Sequence, residues 1–199
     1  MASSAFKPKI NKFIEPIARG LLAIGITPNA ITLVGACGSS LSAAILFTQG
    51  HLMAGVIAVA IFTLSDLLDG TMARVSTQGA TRWGGFIDSV ADRFTDSAIM
   101  GGVIIYLVKA DDRLSYLAIA SLVVGFLIPY IRAKSESLGI ACTVGIAERT
   151  ERLILVLTAI GLEGLGIEYA LAIGMWILLV LSLITVGQRV FVVYKGLKN

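Results

Sequence analysis

Four aspartates carry the chemistry of this chain. The pattern runs Asp66-x-x-Asp69-Gly70-x-x-Ala73-Arg74, then nine residues, then Gly84-x-x-x-Asp88-x-x-x-Asp92. On helices, the i, i+3 spacing of Asp66 and Asp69 and the i, i+4 spacing of Asp88 and Asp92 put each pair on one face. All four lie in apolar stretches or at their heads. One carboxylate at the centre of a bilayer costs about 2.5–3.5 kcal/mol on insertion scales, and four together repel one another. Two divalent cations held between the carboxylates resolve both problems, and an all-oxygen donor set suits Mg2+ or Mn2+. Paired cations are the arrangement that phosphoryl and nucleotidyl transfer use.

The residues around the aspartates fit that reading. Gly70 and Gly84 remove side chains where helices approach or where a phosphate must enter. Ala73 continues the small face, and Gly85 and Ser89 keep the second helix narrow. Arg74 offers a donor fork for a phosphate at the rim. Salt bridges between helices explain the aspartates poorly, because Arg74 and Arg93 are the only nearby cations. Asp96 extends the Asp88–Asp92 face by a turn. It is either a supporting partner of the site or a partner of Arg93, and the two readings stand level.

The elements that must position these residues are membrane helices. Of 199 residues, 56% are hydrophobic and 15% charged, where a soluble domain carries roughly 25% charged. The expected fold is an all-α integral membrane protein, one domain over 1–199, with six spans. They are read at about 30–48, 53–73, 84–108, 114–134, 152–169 and 170–192, the fifth interrupted by Gly161, Gly164 and Gly166, with Glu163 and Glu168 marking its exit to water. Of the 16 lysines and arginines, all but Lys109 and Arg113 then fall on the side of both termini. The positive-inside bias puts that side, and the aspartates, in the cytoplasm, and the membrane is the cell membrane.

Residues 6–24 precede the first span with Phe6, Ile10, Phe13, Ile14, Ile17 and Leu21 at helical spacing and lysines opposite. This is the pattern of an interfacial helix on an anionic leaflet, with a kink or late start at Pro16. Thr27-Pro28-Asn29 reads as the cap and first turn of span one. Gly35, Gly38, Ser39, Ser42 and Ala43 give that span a small-residue face for close packing, within the chain or between copies. Cys37 and Cys142 are expected to be unpaired thiols. No nucleic-acid partner is implied.

The motif resembles the signature of the CDP-alcohol phosphotransferases, integral-membrane enzymes of phospholipid synthesis, with every fixed position filled. The resemblance implies that a CDP-linked lipid donates its phosphatidyl group to an alcohol and that CMP leaves. It implies that Asp66, Asp69 and Asp88 bind metal. Asp92 matches the position that also touches metal and serves as general base on the attacking hydroxyl. Gly70, Ala73 and Arg74, with Asp66, would face the donor nucleotide, joined by the weaker candidates Thr27, Pro28, Asn29 and Thr32. It also implies a homodimer.

The acceptor is approached through a second basic cluster. Arg132 and Lys134 end span four, Glu148-Arg149-Thr150-Glu151-Arg152 opens span five and Arg189 closes span six. Fixed positive charge of this kind suits an acceptor that itself carries a phosphate. Strings such as Pro16-Ile17-Ala18-Arg19-Gly20-Leu21-Leu22, Tyr130-Ile131-Arg132-Ala133-Lys134 and Glu148 to Leu153 are similar to the actinobacterial phosphatidylinositol phosphate synthases within that family. Thr150 departs from the proline expected there. The implied reaction joins CDP-diacylglycerol to inositol 1-phosphate, with Lys134, Arg152 and Arg189, joined by Arg149, clamping the phosphate. Glycerol 3-phosphate is the alternative acceptor. A divalent-cation transporter is the remote alternative, disfavoured because the spans beyond Asp66 and Asp96 are almost wholly apolar.

Overall fold

The computed structural model describes residues 14–76 and 79–198. They are helical, with no strand among the described residues. Residues 14–23 form α1, followed by α2 (Pro28–Ser42), a π-helical turn (Ala43–Phe47), α3 (Leu52–Thr63) and α4 (Ser65–Val75). Then come α5 (Arg82–Lys109), α6 (Leu114–Ser137), α7 (Arg149–Gly164) and α8 (Ala170–Lys198). Four segments are long and apolar enough to cross a membrane: Pro28–Phe47, Leu52–Val75, Leu114–Ser137 and Ala170–Lys198. Helix α5 carries Arg82, Asp88, Asp92, Arg93 and Asp96 between its start and its midpoint turn, and α7 has only 16 residues. Of the expected interfacial helix, residues 6–13 lie outside the described residues.

Local chemistry sets the boundaries. Thr27 caps α2 by accepting from the Ala30 amide at 3.3 Å, and Pro28 takes the first turn, where its missing N–H costs nothing. The second apolar stretch is not one straight helix. It breaks at Leu64, and the hydroxyls on either side both bond back to α3, Thr63 to the Val59 carbonyl at 2.8 Å and Ser65 to the Phe62 carbonyl at 2.6 Å. Back-bonding hydroxyls of this kind bend helices, here two residues before Asp66.

The fifth stretch ends sooner than its apolar run suggested. Helix α7 stops at Gly164, and Gly166 follows in the left-handed region at φ +83°. Glu163 stands in the last turn of α7, where its carboxylate also accepts the Leu171 amide at 3.0 Å and so caps α8.

The chain divides into two compact units, one holding the residues up to Ala44 with Ile57–Ile99, the other Ile45–Val56 with everything from Met100. In the first, α2 packs on α4. A Cβ on Gly35 would overlap Ser65, and one on Gly38 would overlap Phe62. The small-residue face of span one is therefore spent inside the chain. In the second unit, α8 packs against α6 and α7, with Ile160, Leu171, Met175 and Leu178 buried. Both cysteines are free.

Candidate active site

The first unit contains a cavity of about 530 Å³ between the start of α2, α4 and the start of α5. Pro28, Asn29 and Thr32 line it from α2, Asp69, Gly70 and Ala73 from α4, and Gly84, Gly85 and Asp88 from α5. The α2 residues were the weakest nucleotide candidates in the sequence, and the fold brings them to the same wall as the motif. Arg74, Asp66 and Asp92 are not part of that lining.

Glycine acts differently at the motif positions Gly84 and Gly70 and at the neighbouring Gly85. A Cβ on Gly84 would stand 3.0 Å from Asn29 Oδ1, so this glycine allows α5 to approach α2. At Gly70 a Cβ would meet only Arg74 Nη1, at 3.9 Å, and at Gly85 it would meet nothing within 4 Å. Those two glycines keep cavity space open instead of making a helix contact. Thr81, missed in the sequence reading, caps α5 by accepting the Gly84 amide at 3.0 Å and also lines the cavity. A threonine just ahead of a helical pattern is the signal that would have found it.

The carboxylates differ in surroundings. Asp69 is buried, and the Thr32 hydroxyl donates to its Oδ2. Asp66 and Asp88 act on Asp69 as like charges through space, so three motif carboxylates share one neighbourhood. Among the described residues, no three acidic, histidine or cysteine side chains are gathered into a metal-ligating set. Asp92 is half-buried one turn beyond Asp88, with Arg93 Nη2 3.6 Å from its Oδ2. The same Arg93 nitrogen is 3.8 Å from Asp96, so Arg93 sits between the two acids and Asp96 has the cation as a partner. Arg74 lies back along α4, its Nη2 donating to Thr71 Oγ1 at 2.9 Å.

In the second unit the basic residues fall into two groups. Arg152 and Arg189 are buried, at 8% and 3% exposure, whereas Lys134 is exposed and Arg149 half-buried. Arg132 is committed to Glu136 one turn on, Nε to Oε1 at 2.9 Å. Arg189 is braced by main chain: Nε donates to the Val144 carbonyl at 2.9 Å and Nη1 to the Ile128 carbonyl at 2.7 Å. A buried guanidinium needs such partners. Nothing in the sequence signalled that two of the three Arg189 nitrogens hold backbone.

A membrane helical protein with a carboxylate-walled cavity and inward-facing arginines is the architecture of a lipid phosphotransferase, and the comparisons agree. Residues 25–187 match the family model for CDP-alcohol phosphatidyltransferases. The chain belongs to the CDP-alcohol phosphatidyltransferase family and is a transferase. It is 42% identical over 187 residues to the phosphatidylinositol phosphate synthase of Mycobacterium marinum, covering 92% of this chain and 80% of that protein. With the synthase of the same name from Cutibacterium acnes it shares 39% identity, over 94% and 95% of the two chains. The fold is similar to the crystal structure of the Mycobacterium tuberculosis phosphatidylinositol phosphate synthase with CDP-DAG bound. The TM-score is 0.88 at 40% identity, over 92% of this chain and 94% of that one. The same enzyme in complex with manganese and citrate is similar with a TM-score of 0.84 at 41% identity, over 91% and 88%.

Proposed function

We propose that this chain transfers the phosphatidyl group of CDP-diacylglycerol to inositol 1-phosphate, giving phosphatidylinositol phosphate and CMP. The observation that carries the proposal is the cavity walled by Asp69 and Asp88 and floored by two glycines that no protein contact requires. That space suits a nucleotide diphosphate close to carboxylates. The relatives named above are synthases of the same product, which favours inositol 1-phosphate over glycerol 3-phosphate.

A buried carboxylate with two like-charged neighbours and an open cradle beside Gly70 and Gly85 fits a hard divalent cation. Asp66, Asp69, Asp88 and Asp92 are the residues that would hold it, and manganese in a solved relative favours Mn2+ or Mg2+, two ions in our reading. When bound, the metal offsets the diphosphate charge and eases departure of CMP. The chain's own residues do the rest. Thr32 fixes the Asp69 carboxylate, while Pro28, Asn29, Gly70, Ala73 and Arg74 receive the nucleotide. Asp92 takes the proton of the acceptor hydroxyl. That oxygen bonds to the phosphorus carrying the diacylglycerol, and the bond from that phosphorus to the CMP oxygen breaks. Lys134, Arg149, Arg152 and Arg189 receive the acceptor phosphate.

In this reading residues 1–199 are one catalytic domain with six spans. Helices α5 and α7 complete the four apolar ones, and α1 (14–23) lies along the interface. The basic residues favour a cytoplasmic site in the cell membrane. A homodimer follows from the family and not from the α2 glycine face, which is buried in the chain. CMP release from CDP-diacylglycerol tests the reading. It should depend on added inositol 1-phosphate, and release at the same rate without an acceptor would reject it.

A further inference from the structure

Residues 141–147, between α6 and α7, lie outside any helix, yet their backbone is held at successive points by one face of α8. Thr185, Gln188 and Arg189 stand at i, i+3 and i+4, the spacing of a single helix face. Thr185 Oγ1 accepts the Ala147 amide at 3.2 Å and gives its own proton to the Leu181 carbonyl at 2.9 Å. Gln188 Oε1 accepts the Ile146 amide at 3.2 Å. Arg189 Nε holds the Val144 carbonyl at 2.9 Å.

The steric fit is equally close. Gly145 has φ +147°, and a Cβ there would stand 2.7 Å from Thr185 Cγ2 and 3.7 Å from both Nε and Nη2 of Arg189. Thr185 is fully buried. Three hydrogen-bonding side chains on one turn of an otherwise apolar helix need a purpose. Here they grip the segment that supplies a carbonyl to Arg189 and leads, two residues past Ala147, into Arg149 and then Arg152.

We propose that Thr185 and Gln188 are positioning residues for the acceptor phosphate. They fix the strand of backbone at 144–147 so that the Val144 carbonyl orients the Arg189 guanidinium and α7 begins with Arg149 and Arg152 in place. This rests on the reading that those arginines receive the acceptor phosphate. A segment docked only for stability would affect both substrates alike, whereas a positioning role acts on the acceptor.

The test is steady-state kinetics on the full-length enzyme in nanodiscs, varying inositol 1-phosphate and CDP-diacylglycerol in turn. Thr185→Val keeps the shape and removes the acceptor oxygen, and Gln188→Leu does the same for Ile146. Each should raise the KM for inositol 1-phosphate about tenfold and leave that for CDP-diacylglycerol within about twofold, as expected for an orphaned amide that loosens the arginines. Thr185→Ser and Gln188→Glu keep the oxygen and should restore the acceptor KM. An equal rise in both KM values, or none in either, overturns the positioning role. Arg152→Ala, measured alongside, separates the levels. A raised acceptor KM there with none in Thr185→Val and Gln188→Leu sinks only the positioning role; an unchanged one sinks the phosphate reading and this proposal with it. If Thr185→Val does not fold, the half-exposed Gln188 pair decides alone.

Discussion

Thr32 of α2 donates a hydrogen bond to Oδ2 of the buried Asp69 of α4, joining residues 37 positions apart in the sequence. The bond ties the capped start of α2 to the central carboxylate of the motif. Groups that orient a metal-binding carboxylate typically matter nearly as much as the ligand itself.

Thr32→Val should therefore weaken the apparent affinity for Mn2+ or Mg2+ by about 10–100-fold, the usual cost of losing an orienting partner. Thr32→Ser keeps the donor and should remain close to the parent. Activity titrated with metal checks this; unchanged metal dependence in Thr32→Val would contradict it.

Two glycines, one beside the cavity and one on α2, can be told apart by what a methyl group meets. Gly85→Ala has open space within 4 Å and gains roughly 1 kcal/mol of helix propensity. Its melting temperature should be equal or higher while the KM for CDP-diacylglycerol rises. Gly35→Ala would overlap Ser65 and should destabilise by about 1–3 kcal/mol. Thermal unfolding beside donor kinetics separates the two effects.

Asp92→Asn preserves shape and removes the base. Turnover should fall by at least about 100-fold, the lower end for a positioned general base, while CDP-diacylglycerol still binds. Isothermal titration beside CMP release checks both halves. Full activity would remove the role of Asp92.

Two arginines near the ends of neighbouring helices should behave oppositely. Arg132 forms an exposed i, i+4 pair with Glu136, worth about 0.5 kcal/mol or less, and Arg132→Ala should leave both KM values unchanged. Arg152 is buried, and Arg152→Ala should raise the acceptor KM by at least about tenfold, since charge-assisted bonds to phosphate are the strong ones. Equal effects of the two variants would refute the distinction.

The helical segments could be read from the sequence because a bilayer enforces long apolar runs, and Thr27-Pro28 carried its cap in two adjacent residues. The motif carried its chemistry the same way, through spacing alone. What escaped was set by contacts distant in sequence. The bend at Leu64 depends on hydroxyls that could equally have faced outward. The cap that Glu163 gives α8 was hidden too, because Leu171 returns to it across a turn. The α2 small face suited an interface between copies as well as Ser65 and Phe62. Arg189 was placed inward by its position, but its grip on Val144 and Ile128 spans 45 and 61 residues, which no local pattern encodes.

The central claim concerns which alcohol receives the phosphatidyl group. The most direct measurement is a competition: purified enzyme, CDP-diacylglycerol and Mg2+ or Mn2+, with equal labelled inositol 1-phosphate and glycerol 3-phosphate in one reaction, and the lipid products resolved. Labelled phosphatidylinositol phosphate forming in step with CMP, with little phosphatidylglycerol phosphate, is the expected result. Label appearing chiefly in phosphatidylglycerol phosphate would contradict the account.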